Sequence, residues 1–397
     1  EPVPGIHFNV IVLDFASLYP SIIKVHNLSY ETINCSHEDC RENKVEGTTH
    51  WVCRHRKGLT SFLIGSLRDL RVNYYKHLAK DKTLPPEERK LYNVVSQAIK
   101  VILNASYGVM GAAIFPLYCL PVADATAALG RTTINRTINK CKEIGIRVVY
   151  GDTDSIFLSN PDQKHIEQLV QWARETLGVD LEIDKQYRYV VFSDLKKNYL
   201  GVLSDGTVDV KGLTGKKSHT PPFIRKAFYD ILEILGKINS EKDFEYAKEK
   251  IKNVIQENAK NLEAHKIPLE ELSFNVTINK SLSTYGKKTG SKTVDGNSND
   301  IYKGLPQHIK AAKMLVDANK REVRAGDIIS YVKIKAGDGV RPVELSNPEE
   351  IDTEKYLEAM ESTFEQVSSA LNVDFKSILG KPRQQSLDEL FWSKPAS

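Results

Sequence analysis

Residues 148–158 read VVYGDTDSIFL, two short apolar runs on either side of Gly151-Asp152-Thr153-Asp154-Ser155. β-branched and aromatic residues around a Gly/Asp/Thr/Ser cluster predict a β-hairpin. Side chains alternate between faces in extended geometry, so Asp152 and Asp154, two apart, are expected on one face. Like charges at that spacing repel in a partly dry site and need a cation to sit there. Taken alone the pair is equally well explained by turn chemistry, which favours Asp and Gly. A further acid comes from upstream: residues 7–13, HFNVIVL, form a β-branched run that ends at Asp14. That run predicts a buried strand carrying Asp14 at its C-terminal end.

Between these strands the pattern turns helical. Phe62, Leu63, Leu67, Leu70, Tyr74 and Leu78 recur at helical spacing over residues 61–80. Thr83-Leu84-Pro85-Pro86 breaks the pattern, and Glu87 and Glu88 suit the first turn of a second helix, where the dipole favours acids. This second helix is expected to reach Ala105 or beyond, giving an antiparallel helical hairpin. On it Lys100, Asn104 and Tyr107 fall at i, i+4 and i+7, one face, with Val101, Ile102 and Ala105 turned towards the other side. Downstream, an amphipathic helix is expected over residues 164–178 and a strand around residues 181–183, followed by a Lys-rich, mostly helical stretch from about residue 193. Residues 286–299 are polar and rich in Gly, Ser and Thr, which predicts a loop. Strands interrupted by a helical hairpin and followed by a helical half define an α+β chain with discontinuous domains.

A chain of 397 residues suggests two or three packed units. It has no run of eighteen apolar residues, which excludes a helical membrane span, and Glu1-Pro2-Val3-Pro4 reads as a linker entering a strand. The formal charge is only +4. Its distribution is less even: Lys196, Lys197, Lys211, Lys216, Lys217, Arg225 and Lys226 stand against Asp194, Asp205 and Asp209. Such a stretch fits a groove that tracks a phosphate backbone, or a solvated basic face.

Cys35, Cys40 and Cys53 cluster in a polar insertion, residues 31–58, with His37, His50 and His55 between them. Zinc, a disulfide and free thiols are the three fates open to them. The loose second pair, Cys53 and His55, argues against the usual close-spaced zinc pairs. A Cys40–Cys53 bridge is the preferred reading if the source is a hyperthermophile, where intracellular disulfides are common.

The residues 14–23, DFASLYPSII, closely resemble the first polymerase motif of the family B DNA polymerases. Residues 150–155, YGDTDS, resemble the third motif, and between them Lys100-x3-Asn104-x2-Tyr107-Gly108 matches the second, in the family's order. The resemblance extends over essentially the whole chain and is closest to archaeal replicases of crenarchaeal type. It implies a right-hand fold: palm from residues 1–60 and 111–192, fingers 61–110 and thumb 193–397. It also implies template-directed addition of dNMP from a dNTP to a primer 3′-hydroxyl in DNA replication, in the cytoplasm on the nucleoid. Two Mg²⁺ ions would be held by Asp14 and Asp154 with Asp152 in support, the arrangement that nucleotidyl transfer requires. By the same resemblance the dNTP would meet the backbone around Ser17 and Leu18, the ring of Tyr19, and Arg71, Lys100 and Asn104. Lys100 suits phosphate charge as a compact cation and could protonate the leaving group. Arg68, one turn from Arg71, competes for its role. The family often has a lysine four positions after that arginine, and Tyr75 stands there with Lys76 beside it.

Tyr107 and Gly108 would meet the nascent pair, and Lys197, Tyr199 and Lys211 the primer-template duplex. Glu182 resembles a palm acid near the metals. Gln384-x2-Leu387-x2-Leu390-Phe391 resembles a sliding-clamp-binding motif. The family's amino-terminal and exonuclease domains are expected to lie outside this chain, on another segment or subunit.

Overall fold

The computed structural model describes residues 1–212, 220–285, 302, 304–370 and 375–380. The predicted loop at residues 286–299, Lys216 and Lys217, and the clamp-like motif Gln384, Leu387, Leu390 and Phe391 lie outside the described residues. The chain is α+β. It divides into two compact units, one of Glu1–Val3 with His7–Tyr189, the other of Pro4–Ile6 with Val190–Ser397.

In the first unit β1 (Gly5–Phe15) runs into α1 (Leu18–Val25). The helical hairpin follows. Its first arm is α2 (Leu59–Asp69), a π-helical turn at Leu70–Tyr75 and the short α3 (Lys76–Leu78). Its second arm, α4, spans Pro86–Gly111, with Pro86 at its start and Glu87 and Glu88 in its first turn as the sequence predicts. Next come α5 (Leu120–Glu143), β2 (Arg147–Asp152), β3 (Ser155–Ser159), α6 (Gln163–Trp172) and β4 (Leu181–Phe192). The predicted helix over residues 164–178 ends in a second π-helical turn at Ala173–Leu177, and the predicted short strand is twelve residues long.

The strand order in this unit is β2-β3-β1-β4. β3 is antiparallel to both its neighbours, and its register sets Asp14 opposite Ser155. Leu13, Ile22, Leu103, Ala125, Ile156 and Leu169 anchor one continuous core beneath the sheet and helices. On α4 the buried positions are Ser96, Ile99, Leu103 and Met110. Val101 and Ile102 are 68% and 55% exposed, because the core contact is made by Ile99 and Leu103.

Val190 onward belongs to the second unit. It holds the hairpin β5 (Tyr199–Leu203) and β6 (Val208–Lys211), then α7 (Pro222–Gly236), α8 (Asp243–Glu263) and α9 (Leu269–Leu272). A three-stranded antiparallel sheet of β7 (Phe274–Thr277), β8 (Ile328–Lys333) and β9 (Val340–Pro342) carries α10 (Gln307–Asp317). Ile309, Leu315 and Ile329 pack between them. α11 (Thr353–Ala370) and α12 (Phe375–Ile378) complete the unit. The sequence reading, a mostly helical half, left out these strands. At three to six residues they are too short for an alternating pattern to stand out.

Candidate active site

A cleft of about 400 Å³ opens in the first unit, lined by Asp14, Ser17, Leu18, Tyr19, Arg71, Lys76, Lys100, Asn104, Tyr107, Asp154 and Glu182 among others. Each wall comes from a different element. β1 ends in the cleft at Asp14, and the Phe15 N–H donates to the Asp154 carbonyl at 2.8 Å, tying the strand end to the β2–β3 turn. That turn consists of Thr153 and Asp154 alone, with Thr153 at φ 31°. The alternation argument therefore fails for this pair. Asp152 is the last residue of β2, whereas Asp154 is aimed by turn geometry. Thr153 and Asp154 line the cleft and Asp152 does not.

Ser17 leads from β1 into α1 in the left-handed region, φ 58° and ψ 61°. Non-glycine residues held there cost of order 1–3 kcal/mol and cluster at functional sites. The bend presents the first N–H groups of α1, which lack intrahelical partners, beside the cleft, where an anion is favoured. Arg71 donates from Nη1 to Ser17 Oγ at 3.2 Å, while its buried Nε has no hydrogen-bond partner. Burial, more than any neighbouring charge, lowers the pKa of this guanidinium. An orphaned N–H on the wall of a polar cleft is suited to an oxyanion.

Arg68 does something else. It is 5% exposed, donating to Ser21 Oγ at 3.2 Å and Asp69 Oδ1 at 3.0 Å, and pairing with Asp180. The π-helical turn explains a second cation. Its wider i→i+5 closure brings the residue five positions after Arg71, not four, back to the same side. Lys76 thereby reaches the cleft and pairs with Glu182, while Tyr75 turns inward against Tyr92, with ring centroids 6.2 Å apart. The substitution of Tyr75 for a lysine thus leaves the cleft with two basic side chains from this arm.

Across the cleft, Tyr19 and Tyr107 lie with ring centroids 4.7 Å apart. Beneath Tyr19 is Gly130 of α5, where a Cβ would come within 2.9 Å of the ring. Sequence reasoning missed Gly130; nothing in a helical pattern marks a glycine as the floor under a ring from another element.

The acids are crowded. Burial first, then Asp154, Asp184 and Glu182, raise the Asp14 carboxyl from 3.8 to about 7, against a smaller opposing pull from Lys76. A set of hard oxygen donors with uncompensated like charge fits a divalent cation of the Mg²⁺ class. Saturating Mg²⁺ is expected to raise the melting temperature of the chain by a few degrees, about 2–4 °C per kcal/mol of binding linkage. Asp14→Asn should remove most of that rise in differential scanning fluorimetry. An equal rise in the variant would mean that Mg²⁺ binds elsewhere.

Lys197, Tyr199 and Lys211 lie together in the second unit. Tyr199 pairs with Lys211 across β5 and β6. Lys197 is at φ 60°, and a Cβ on Gly212, itself at φ 74°, would stand 2.3 Å from the Lys197 carbonyl oxygen, so only glycine fits there.

The insertion corrects one expectation. None of the five cysteines is in a disulfide, so the Cys40–Cys53 bridge is not formed. The sulfurs of Cys35, Cys40 and Cys53 instead converge with a ring nitrogen of His37, all four ligand atoms within 4.8 Å of one another. His37 is the residue that the search for close-spaced pairs passed over.

A family model described as DNA polymerase family B matches residues 1–378, and the chain belongs to that family. It is 44% identical over 396 residues to DNA polymerase 1 of Saccharolobus solfataricus, covering 98% of this chain and 42% of that protein. DNA polymerase 1 of Aeropyrum pernix is 41% identical over 381 residues, covering 96% and 38%. The solved family B DNA polymerase of the hyperthermophilic archaeon Pyrobaculum calidifontis superposes with a TM-score of 0.68 at 26% identity, over 92% of this chain and 46% of that one. The chain thus spans about two-fifths of the length of the curated relatives it matches. Among the described residues no helix is long and apolar enough to cross a membrane.

Proposed function

We propose that this chain is the catalytic core of a template-directed DNA polymerase, adding dNMP from a dNTP to a primer 3′-hydroxyl. The observation that carries the reading is the opposition, in one cleft, of Asp14 and Asp154 to Arg71, Lys76 and Lys100. Residues 1–60 and 111–192 are the palm, 61–110 the fingers and 193–397 the thumb.

Asp14 and Asp154 would hold two Mg²⁺ ions, with Asp152 in a supporting position. When bound, these ions lower the pKa of the attacking hydroxyl and offset charge on the phosphates. The 3′-hydroxyl gives up its proton to solvent, and its oxygen forms a bond to the α-phosphorus as the bond from that phosphorus to the bridging oxygen of the β-phosphate breaks. Arg71, Lys76 and Lys100 bind the triphosphate, with Arg71 using its unpartnered Nε–H, and the N–H groups at Ser17 and Leu18 complete the anion cradle. Asn104 hydrogen-bonds the same group. Lys100, exposed on α4, supplies a proton to the departing pyrophosphate. Glu182 positions Lys76. Movement of the helical hairpin would gate these contacts.

Tyr19, seated on Gly130, lies under the sugar and leaves no room for a 2′-hydroxyl. Tyr107, with Gly108 beside it, tests the minor-groove edge of the nascent pair, whose acceptors are shared by all correct pairs. Lys197, Tyr199 and Lys211 follow the duplex backbone, so binding weakens as salt rises. A sliding clamp is the partner suggested by Gln384, Leu387, Leu390 and Phe391, on the sequence motif alone.

The test is extension of a primed DNA template with dNTPs and Mg²⁺ at low salt. No incorporation by a folded chain that binds the primer-template would remove the catalytic reading. In the same assay Tyr19→Ala should raise rNTP use relative to dNTP use by roughly 10- to 200-fold, the scale of steric discrimination in a pocket. An unchanged ratio would take the sugar gate away from Tyr19.

A further inference from the structure

We infer that Cys35, His37, Cys40 and Cys53 form a structural zinc site that staples the insertion between α1 and α2. Residues 26–58 join those helices with little regular structure: a single 3₁₀ turn at Asp39–Glu42 and the isolated bridges Ile33↔Val52 and Lys44↔Trp51. Connections of this length without their own elements are uncommon in compact domains. Only a few of its side chains reach the core, Ile33, Val45 and Val52 among them. The segment nevertheless closes on a defined point. Cys40 is fully buried and Cys53 is 3% exposed, while Cys35 and His37 shield the outer side.

The spacing at that point suits a single tetrahedral ion. With Zn–S about 2.3 Å and Zn–N about 2.0 Å, tetrahedral ligands stand about 3.5–3.8 Å from one another. The four ligand atoms lie within 4.8 Å, and His37 Nδ1 is 3.5 Å from Cys53 Sγ. A disulfide would use two sulfurs and leave the third thiol and the imidazole without a role. An iron–sulfur cluster places its ligands on separate irons, which requires wider spacing than this.

A backbone donor is aimed at one of the sulfurs. Cys40 Sγ accepts the Arg54 N–H at 3.3 Å. Neutral thiols are weak acceptors, so an N–H aimed at this buried sulfur suits a metal-bound thiolate. Beside the site His55 pairs with Asp39 at 2.6 Å, and its ring lies 4.8 Å from that of His37.

The staple is fastened to both helices. Asn27, just past α1, donates to the Cys53 and Arg56 carbonyls and accepts from the Gly58 N–H at the start of α2. The ion therefore fixes where α1 ends and α2 begins, at a distance from the acids of the cleft.

The experiment is metal analysis of the chain purified without an affinity tag or chelator. About one zinc per chain is expected for four ligands of this type, released by a mercurial reagent and absent from Cys35→Ser and Cys53→Ser but kept in Cys119→Ser. Loss of the ion should lower the melting temperature by about 5–10 °C. Because Cys53→Ser strikes a buried position, metal-depleted wild-type chain is also titrated with Co²⁺, which should give the absorption of a tetrahedral cobalt–thiolate centre. The inference is overturned by metal-free protein whose mass lacks the two hydrogens of a disulfide, by rapid alkylation of all three thiols in the folded chain, by an iron chromophore, or by Co²⁺ producing no thiolate band.

Discussion

Replacing Asp154 with alanine should lower primer extension by about 10³- to 10⁴-fold. Asp154 is exposed in a two-residue turn and shares the cleft with Asp14. Removing one of the two carboxylates proposed to position divalent ions would forfeit several kcal/mol of charge stabilisation in the transition state, and each 1.36 kcal/mol is a factor of ten in rate. The fold should be untouched. Asp154 is among the charges that raise the Asp14 carboxyl, so its loss relieves repulsion, and the melting temperature should stay level or rise slightly. That combination separates a catalytic loss from misfolding. Single-turnover extension beside a melting curve measures both. A variant within tenfold of the wild-type rate would strip Asp154 of its proposed place in the mechanism.

The second large effect falls on stability and comes from Arg68. The guanidinium is buried and hydrogen-bonded to Ser21, Asp69 and Asp180. Removing one partner of a buried pair costs about 3–5 kcal/mol, since the remaining charge is stranded. The lower end is expected for Arg68→Ala. Asp69 keeps Lys24 at 2.6 Å and Asp180 keeps Arg174 at 3.1 Å. A loss of about 3 kcal/mol would lower the melting temperature by roughly 6–12 °C in a unit of this size.

The pH dependence has a definite sign. Burial pushes the Asp180 carboxyl up, but the hydrogen bond and charge of Arg68, helped by Arg174, outweigh it and hold the pKa below the ordinary 3.8. The folded pKa is depressed, so this stability is present above about pH 4 and fades as the pH falls through the lower, folded value. Urea midpoints of wild type and Arg68→Ala should therefore differ most near neutrality and converge in acid. A difference below about 0.5 kcal/mol at pH 7, the scale of ordinary surface changes, would show that the ion pair does not hold.

Arg68 and Arg71 mark the limit of what could be read from the chain. Three positions apart on one helix, both are cations near a motif, and helical spacing separates them by only a modest angle. Asp180 decides between them, and nothing in the local sequence says that Asp180 packs against this helix. Lys76 is a similar case. The family resemblance put the second cation four positions after Arg71, at Tyr75, and a π-helical turn has no clear sequence signature that would point to Lys76 instead.

The sequence by itself determined the local elements and their order: the strand ending at Asp14, the hairpin around Asp154, and the α4 face of Lys100, Asn104 and Tyr107. These depend on periodicity, turn residues and helix starts, which act within an element and need no distant partner. Only the tertiary structure decided that Asp154 and not Asp152 lines the cleft, that Gly130 floors Tyr19, that Arg68 is buried in ion pairs, and that three thiols converge with His37 instead of two of them closing a disulfide. Periodicity gives the direction of a side chain about its own axis. Which element packs opposite is set by burial and close packing across the whole unit, where residues far apart in the chain compete for the same space.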